Sequence, residues 1–214
     1  MSAAFSRVAA LVACVAVAVA AAPGCALTSK GEVQSPRFYS PELAPGGTDI
    51  RPSTPGLRLR LGQIEAASYL EERIAYRVTE NELGYYDDRR WTEPPEQYLR
   101  RALGRELFEQ RGLRRVLSGP GAILDVELTA FEEIRARPER ARLALSYDLH
   151  DERESLAAQS LVLEVPLPPA TSPDAERAPR VAAALATALS AAVAKLSDQI
   201  TSALSQTTPP VAKP

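Results

Sequence analysis

The sequence predicts an α+β fold: a two-layer sandwich in which a mostly antiparallel sheet of five to six strands carries two helices packed on one face. Two observations predict it. Short stretches alternate apolar and polar residues, as strands with one buried face do. Two longer stretches repeat apolar residues every three to four positions, as amphipathic helices do. Two helices covering one face of a mixed or antiparallel sheet make an α+β two-layer sandwich.

Taken in order, Leu57, Leu59 and Leu61 alternate with Arg58 and Arg60 and make the first strand. Ile74, Tyr76 and Val78 make the second, flanked by Ala75 and Arg77. Glu80-Asn81 supplies turn chemistry before a short third strand, Leu83 to Tyr86. Leu124, Val126, Leu128 and Ala130 alternate with Asp125, Glu127 and Thr129. Leu143, Leu145, Tyr147 and Leu149 alternate with Ala144, Ser146, Asp148 and His150. Leu161, Leu163, Val165 and Leu167 complete the set. The first helix starts near Thr92, read as its N-cap, with Glu93 and Glu96 at the positive end of the dipole. Pro94 and Pro95 are tolerated there because first-turn N–H groups have no helical partner. Leu99, Leu103 and Leu107 form its stripe, and Arg111-Gly112 stops it. The second helix spans about Pro179 to Leu204, with the stripe Val181, Leu185, Leu189, Val193, Leu196, Ile200 and Leu204. That stripe fits core packing; cradling acyl chains is the alternative use.

The chain outside the body divides as follows. Residues 1–24 read as a lipoprotein signal peptide: Arg7, then an apolar run from Val8 to Ala22, then Ala22-Pro23-Gly24-Cys25. This end is similar to a bacterial lipobox, which predicts a diacylglycerol thioether and an N-acyl lipid at Cys25. Leu11-Val12-Ala13-Cys14 also matches the lipobox pattern, but a cut there leaves only Val8 to Ala13 as the apolar segment. Residues 25–56, with Pro36, Pro41, Pro45, Pro52 and Pro55, read as the lipidated cysteine and a flexible tether. The body is 57–205, the proline-rich stretch 166–179 reads as a loop, and 206–214 reads as a disordered tail.

Composition bounds the function. The 25 Lys and Arg residues fall to 24 without Arg7, against 27 Asp and Glu, so the balance is near neutral and predicts no nucleic-acid partner. Cys25 is the one cysteine after residue 24, which leaves no disulfide framework. His150 is the single histidine and sits on the polar side of its strand, where it reads as a solvated surface residue. A metal site or a His-based triad would need partners that the sequence lacks. Ser118-Gly119-Pro120-Gly121 reads as a turn. The pairs Asp87-Asp88 and Glu132-Glu133 point to opposite strand faces and read as solvated charge. The expectation is no catalytic residue, no metal and no bound cofactor beyond the lipid.

One segment stands out. Arg73-Ile74-Ala75-Tyr76-Arg77 is followed by Asn81, Leu83, Tyr85-Tyr86, then Arg90-Trp91-Thr92-Glu93-Pro94-Pro95 and the leucine-spaced helix. Tyr76, Trp91 and Pro94 read as structural, with Trp91 at the strand–helix corner and Tyr76 beneath it; an interface role is the alternative. Tyr85, Tyr86 and Arg90 read as partner-facing or as plain surface. Arg58, Arg60 and Arg77 share the uncovered strand face and read as solvated or as contacts for lipid phosphates and acidic partners. This motif and the order of elements resemble the ABC-type transport auxiliary lipoprotein family. The resemblance implies an outer-membrane lipoprotein on the periplasmic face. It implies a non-catalytic accessory that docks to the MCE-domain subunit of an ABC transporter moving phospholipid or other hydrophobic cargo. Tyr85, Tyr86, Arg90 and Arg77 are the candidate docking residues, and a homo-oligomer is compatible with such an adaptor. The other reading is a structural or regulatory envelope lipoprotein, such as an activator of a cell-wall enzyme or an assembly factor.

Overall fold

A computed structural model describes residues 35–41, 57–170 and 176–207. The signal peptide, Cys14, Cys25, most of the tether and nearly all of the tail lie outside them. The described elements are β1 (Arg37–Tyr39), β2 (Arg58–Ala66), β3 (Arg73–Thr79), β4 (Glu82–Trp91), α1 (Pro95–Gly104) and a π-helical turn (Arg105–Gln110). They continue as β5 (Arg114–Arg115), β6 (Ala122–Ile134), β7 (Arg140–His150), β8 (Ser155–Pro166) and α2 (Arg177–Thr207).

The α+β class and the two helices agree with the sequence, but the sheet is mixed and has eight strands. Direction is the main difference. β2 and β3 both run parallel to β6 along the same edge, β2 beside Ala122–Leu128 and β3 beside Glu132–Ile134. The chain leaves that edge after Ala67, whose N–H donates to Leu128 O at 2.9 Å, and rejoins it at Ala75. Alternation reports which face of a strand is buried, not which way its neighbour runs, so this arrangement was not legible. The pairs β3–β4, β6–β7 and β7–β8 are antiparallel as expected. The two additional strands are short. β1 comes from the segment read as tether and pairs with β4; β5 pairs with β2.

Both helices cover one face. Every residue of the predicted α2 stripe is buried, from Val181 to Leu204, against β6, β7 and β8. By length and composition α2 is apolar enough to cross a membrane, but its apolar stripe is spent on this core. Burial at roughly 2 kcal/mol per large side chain explains why the helix lies there. In α1 the buried side is Tyr98, Leu99, Ala102 and Leu103, and Leu107 continues it into the π-helical turn. Thr92 is not the cap: Pro94 occupies the N-cap position with no side-chain cap, and Thr92 Oγ1 lies 2.7 Å from Tyr98 OH. Gly112, at φ 67°, ends the turn where the sequence placed the stop.

Bulges in β6, β2 and β4 steer the sheet. In β6, Leu128 faces Leu145 but Ala130 faces Ala144, so Thr129 is an extra residue. The inserted residue reverses the alternation. Phe131 and Glu133 therefore take the helix-covered face, and Glu132 takes the open face. The solvated reading of Glu132-Glu133 is corrected: they do point to opposite faces, but their exposures are 1% and 0%. Each carboxylate collects arginines, which is what allows it to be buried.

The bulge in β2 falls at Gly62-Gln63, between the pairs Leu61–Leu124 and Ile64–Val126. Gln63 N–H donates to Asp125 Oδ1 at 2.6 Å. A Cβ on Gly62 would lie 2.0 Å from that oxygen, so the close approach requires glycine. Asp125 Oδ2 sits 3.0 Å from His150 Nε2, and His150 Nδ1 is 3.1 Å from Asp151 O. His150 is thus half-buried and bonded rather than freely solvated. Its pKa is raised, chiefly by the hydrogen bond to Asp125. Raised means that the protonated form stabilises the fold: the contribution is full below about pH 6. It disappears as pH rises through the folded-state pKa. Urea midpoints measured from pH 5 to 9 are expected to fall across that window for the wild type, and His150→Gln is expected to remove that component. Parallel profiles for the two proteins would contradict the assignment.

Candidate docking surface

The β3–β4 hairpin carries the motif, and its two faces do different work. On the helix-covered face, Tyr76 and Tyr86 meet edge to face at 5.6 Å between centroids. The Arg135 guanidinium lies 3.2 Å from the Tyr76 centroid and 4.9 Å from that of Tyr86. Tyr86 OH donates to Glu133 Oε2 at 2.8 Å, and Arg135 Nε reaches the same oxygen at 3.2 Å. Arg177, the first residue of α2, pairs with Glu133 Oε1. Burial is the main reason that the Tyr86 phenol is pushed up to about 12. Tyr76 also lies across Gly84, its partner in the ladder; a Cβ there would meet the ring at 2.6 Å. Gly84 therefore clears the space that Tyr76 fills. The sequence showed the tyrosines but not this ion-pair centre, because Glu133, Arg135 and Arg177 are drawn together only by the β6 bulge and the start of α2.

On the open face, Arg77 Nε donates to Glu132 Oε1 at 2.9 Å and its Nη1 to Glu80 O at 2.9 Å. Tyr69 OH donates to Thr129 O at 2.8 Å. Tyr85 OH donates to Tyr69 O at 3.0 Å, and the Arg73 guanidinium stands 4.8 Å from the Tyr85 centroid. Arg77 and Tyr86 are thus each bound to a buried carboxylate, and all four of Arg77, Tyr85, Tyr86 and Arg90 are half-exposed.

A bulge links Tyr85 to Arg90. Between the pairs Ala75–Tyr85 and Arg73–Arg90, β3 advances two residues and β4 advances five. Three extra residues reverse the alternation and turn Trp91 inward. Trp91 is 1% exposed, 5.3 Å from Phe131 and 6.4 Å from Tyr98 between centroids. Its backbone N–H donates to Glu72 O at 2.6 Å. Trp91 is the corner plug that the sequence suggested, although Tyr76 belongs to the neighbouring Tyr86 cluster. The same bulge leaves the Asp87 side chain fully exposed, 3.8 Å from Arg73. Beside it, Arg73, Arg90, Pro94 and the acidic Glu71, Glu72 and Glu96 line a depression of about 420 Å³. The structure therefore brings Tyr85, Arg90 and Pro94 onto one surface through Arg73, which sequence reasoning passed over. Arg73 had a findable signal: it opens the strand that Tyr76 and Arg77 occupy. The surface carries Arg73, Arg90 and the Tyr85 ring, residue types enriched at protein interfaces. Among the described residues, no group of three or more His, Cys, Asp or Glu side chains is placed to hold a metal ion.

The fold defines a class of α+β bodies already seen in crystals. A protein from Xanthomonas campestris of family DUF330 is similar, with a TM-score of 0.65 at 20% identity, covering 79% of this chain and 98% of its own. An uncharacterized protein is similar at TM-score 0.61 and 16% identity, covering 78% of this chain and 99% of its own. No curated protein matches the sequence. Residues 42–201 match the ABC-type transport auxiliary lipoprotein component family, and the chain belongs to that family. It is an auxiliary lipoprotein of ABC-type transport.

Proposed function

We propose that this chain is a lipid-anchored, non-catalytic adaptor. Acylated at Cys25, it sits on the periplasmic face of the outer membrane and docks to the MCE-domain subunit of an ABC transporter that moves hydrophobic cargo. The observation that carries the docking surface is the hairpin bulge: it presents Tyr85, Arg73, Arg90, Pro94 and Asp87 together. Arg77 and Tyr86 hold that hairpin to the buried Glu132 and Glu133. A surface fixed in this way loses little side-chain entropy on docking.

A photo-crosslinking amino acid placed at Asp87, in cells, tests this reading. The MCE-type subunit is the expected product, and the same group at Arg153, in the β7–β8 turn, is expected to give none. Capture of a cell-wall enzyme in its place would move the reading to a regulatory envelope lipoprotein. Membrane fractionation with Cys25→Ser tests the anchor: release of the variant into the soluble periplasm is expected, and unchanged retention would contradict acylation there.

A further inference from the structure

Among the described residues, Phe38 is the one aromatic side chain that stays exposed, at 56%. It sits at the centre of β1, in the segment that the sequence reading made a tether. The residues on either side of it are bound to the body. Arg37 pairs with Glu176, the residue before α2, and Tyr39 OH donates to Glu176 Oε2 at 3.0 Å. Thr92 N–H donates to Tyr39 O at 3.0 Å, and the Tyr39 ring packs against the core. Tyr39 is the ladder partner of Trp91 and shares its helix-covered face. Alternation then turns Phe38 to the open face. The backbone thus holds an aromatic ring outward, where it adds little to the core.

The neighbours of Phe38 on that face are the second observation. Phe38 pairs with Arg90 of β4, and Arg90 pairs with Arg73 of β3. Ladder partners carry their side chains on the same face. Phe38, Arg90 and Arg73 therefore form a row across three strands, with the Tyr85 ring against Arg73. Both cations have unused donors. Among the described residues, the Arg90 guanidinium has no ion-pair or hydrogen-bond partner. Arg73 Nε is buried without a hydrogen-bond partner, and Arg73 Nη2 stands 3.8 Å from Asp87, beyond hydrogen-bond reach.

We infer that Phe38 is the apolar anchor of the docking surface: an apolar side chain of the partner packs on its ring, and an acceptor oxygen beside that side chain meets Arg90. Aromatic rings and arginines are the residue types that carry most of the binding energy at protein interfaces. Because β1 is held on both sides of Phe38, docking has little left to order there. Glu71, Glu72 and Glu96 line the depression beside Arg73 and Arg90, so the row suits a single acceptor rather than an acidic run. The partner's identity rests on the docking reading given above; the role of Phe38 is tested separately from it.

A photo-reactive phenylalanine analogue in place of Phe38, in cells, is compared with the crosslinker at Asp87. Both positions are expected to capture the same protein, and the analogue at Val162, which is 64% exposed on β8, is expected not to. Phe38→Thr keeps a strand-forming residue. It is expected to lower the yield from Asp87 at least 10-fold with the melting temperature unchanged, while Phe38→Leu retains most of the yield. Arg90→Gln is expected to lower it at least threefold. Capture at both positions of one protein that is not an MCE-type subunit would support the anchor and overturn the MCE reading. Capture at Asp87 with no product, or lipid alone, at position 38 would overturn the anchor and leave that reading standing, as would an undiminished Asp87 yield with Phe38→Thr. No capture at either position would overturn both.

Discussion

Trp91→Ala is expected to lower the unfolding free energy by about 3–5 kcal/mol, the range for truncating a fully buried large aromatic side chain. The ring is 1% exposed and packs against Phe131 and Tyr98. It joins β4, β6 and α1 at one point, so little can collapse into the cavity without moving the sheet or the helix. The bulge before it exists to aim it inward. Trp91→Phe keeps an aromatic plug and is expected to recover much of the loss. Urea unfolding followed by far-ultraviolet circular dichroism measures both, since the variants lack the tryptophan signal. A loss below about 1 kcal/mol for Trp91→Ala would mean that the corner repacks freely.

Glu133→Ala is expected to cost a similar 3–5 kcal/mol, for an electrostatic reason. Glu133 is fully buried and receives Tyr86, Arg135 and Arg177. Removing the carboxylate strands the Arg135 guanidinium in a partly buried site, leaves Arg177 with Glu139 alone and leaves the Tyr86 hydroxyl without its acceptor. Glu133→Gln keeps an acceptor for Tyr86 but not the charge, so an intermediate loss is expected. The effect should reach the motif: NMR shifts are expected to move at Tyr76, Tyr86 and the start of α2 together. A stability change confined to a few tenths of a kcal/mol, or shifts limited to Glu133, would show that the cluster is not a unit.

These two side chains also show what the sequence could and could not reveal. Trp91 was legible as a corner plug because an aromatic between a strand and a proline-led helix has few other uses. The α2 stripe was legible because a 3.6-residue period over seven turns admits one buried side. Glu133 was not, since alternation from Leu124 to Ala130 predicts continued alternation, and the extra residue at Thr129 leaves no compositional mark. Parallel pairing of β2 and β3 with β6 was likewise invisible, as was β1, because three residues carry too short a pattern. Of the candidate docking residues, Tyr85 and Arg90 share a surface through Arg73, whereas Arg77 and Tyr86 are held by buried carboxylates, a division that the sequence did not carry.

Hydrogen exchange of the purified chain, with and without the purified MCE-type subunit, tests docking at the hairpin. Slowed exchange on mixing is expected to be concentrated from Arg73 to Pro94, with α2 and the β7–β8 turn unchanged. Protection that avoids the hairpin, or none at concentrations where the two proteins co-elute, would contradict it.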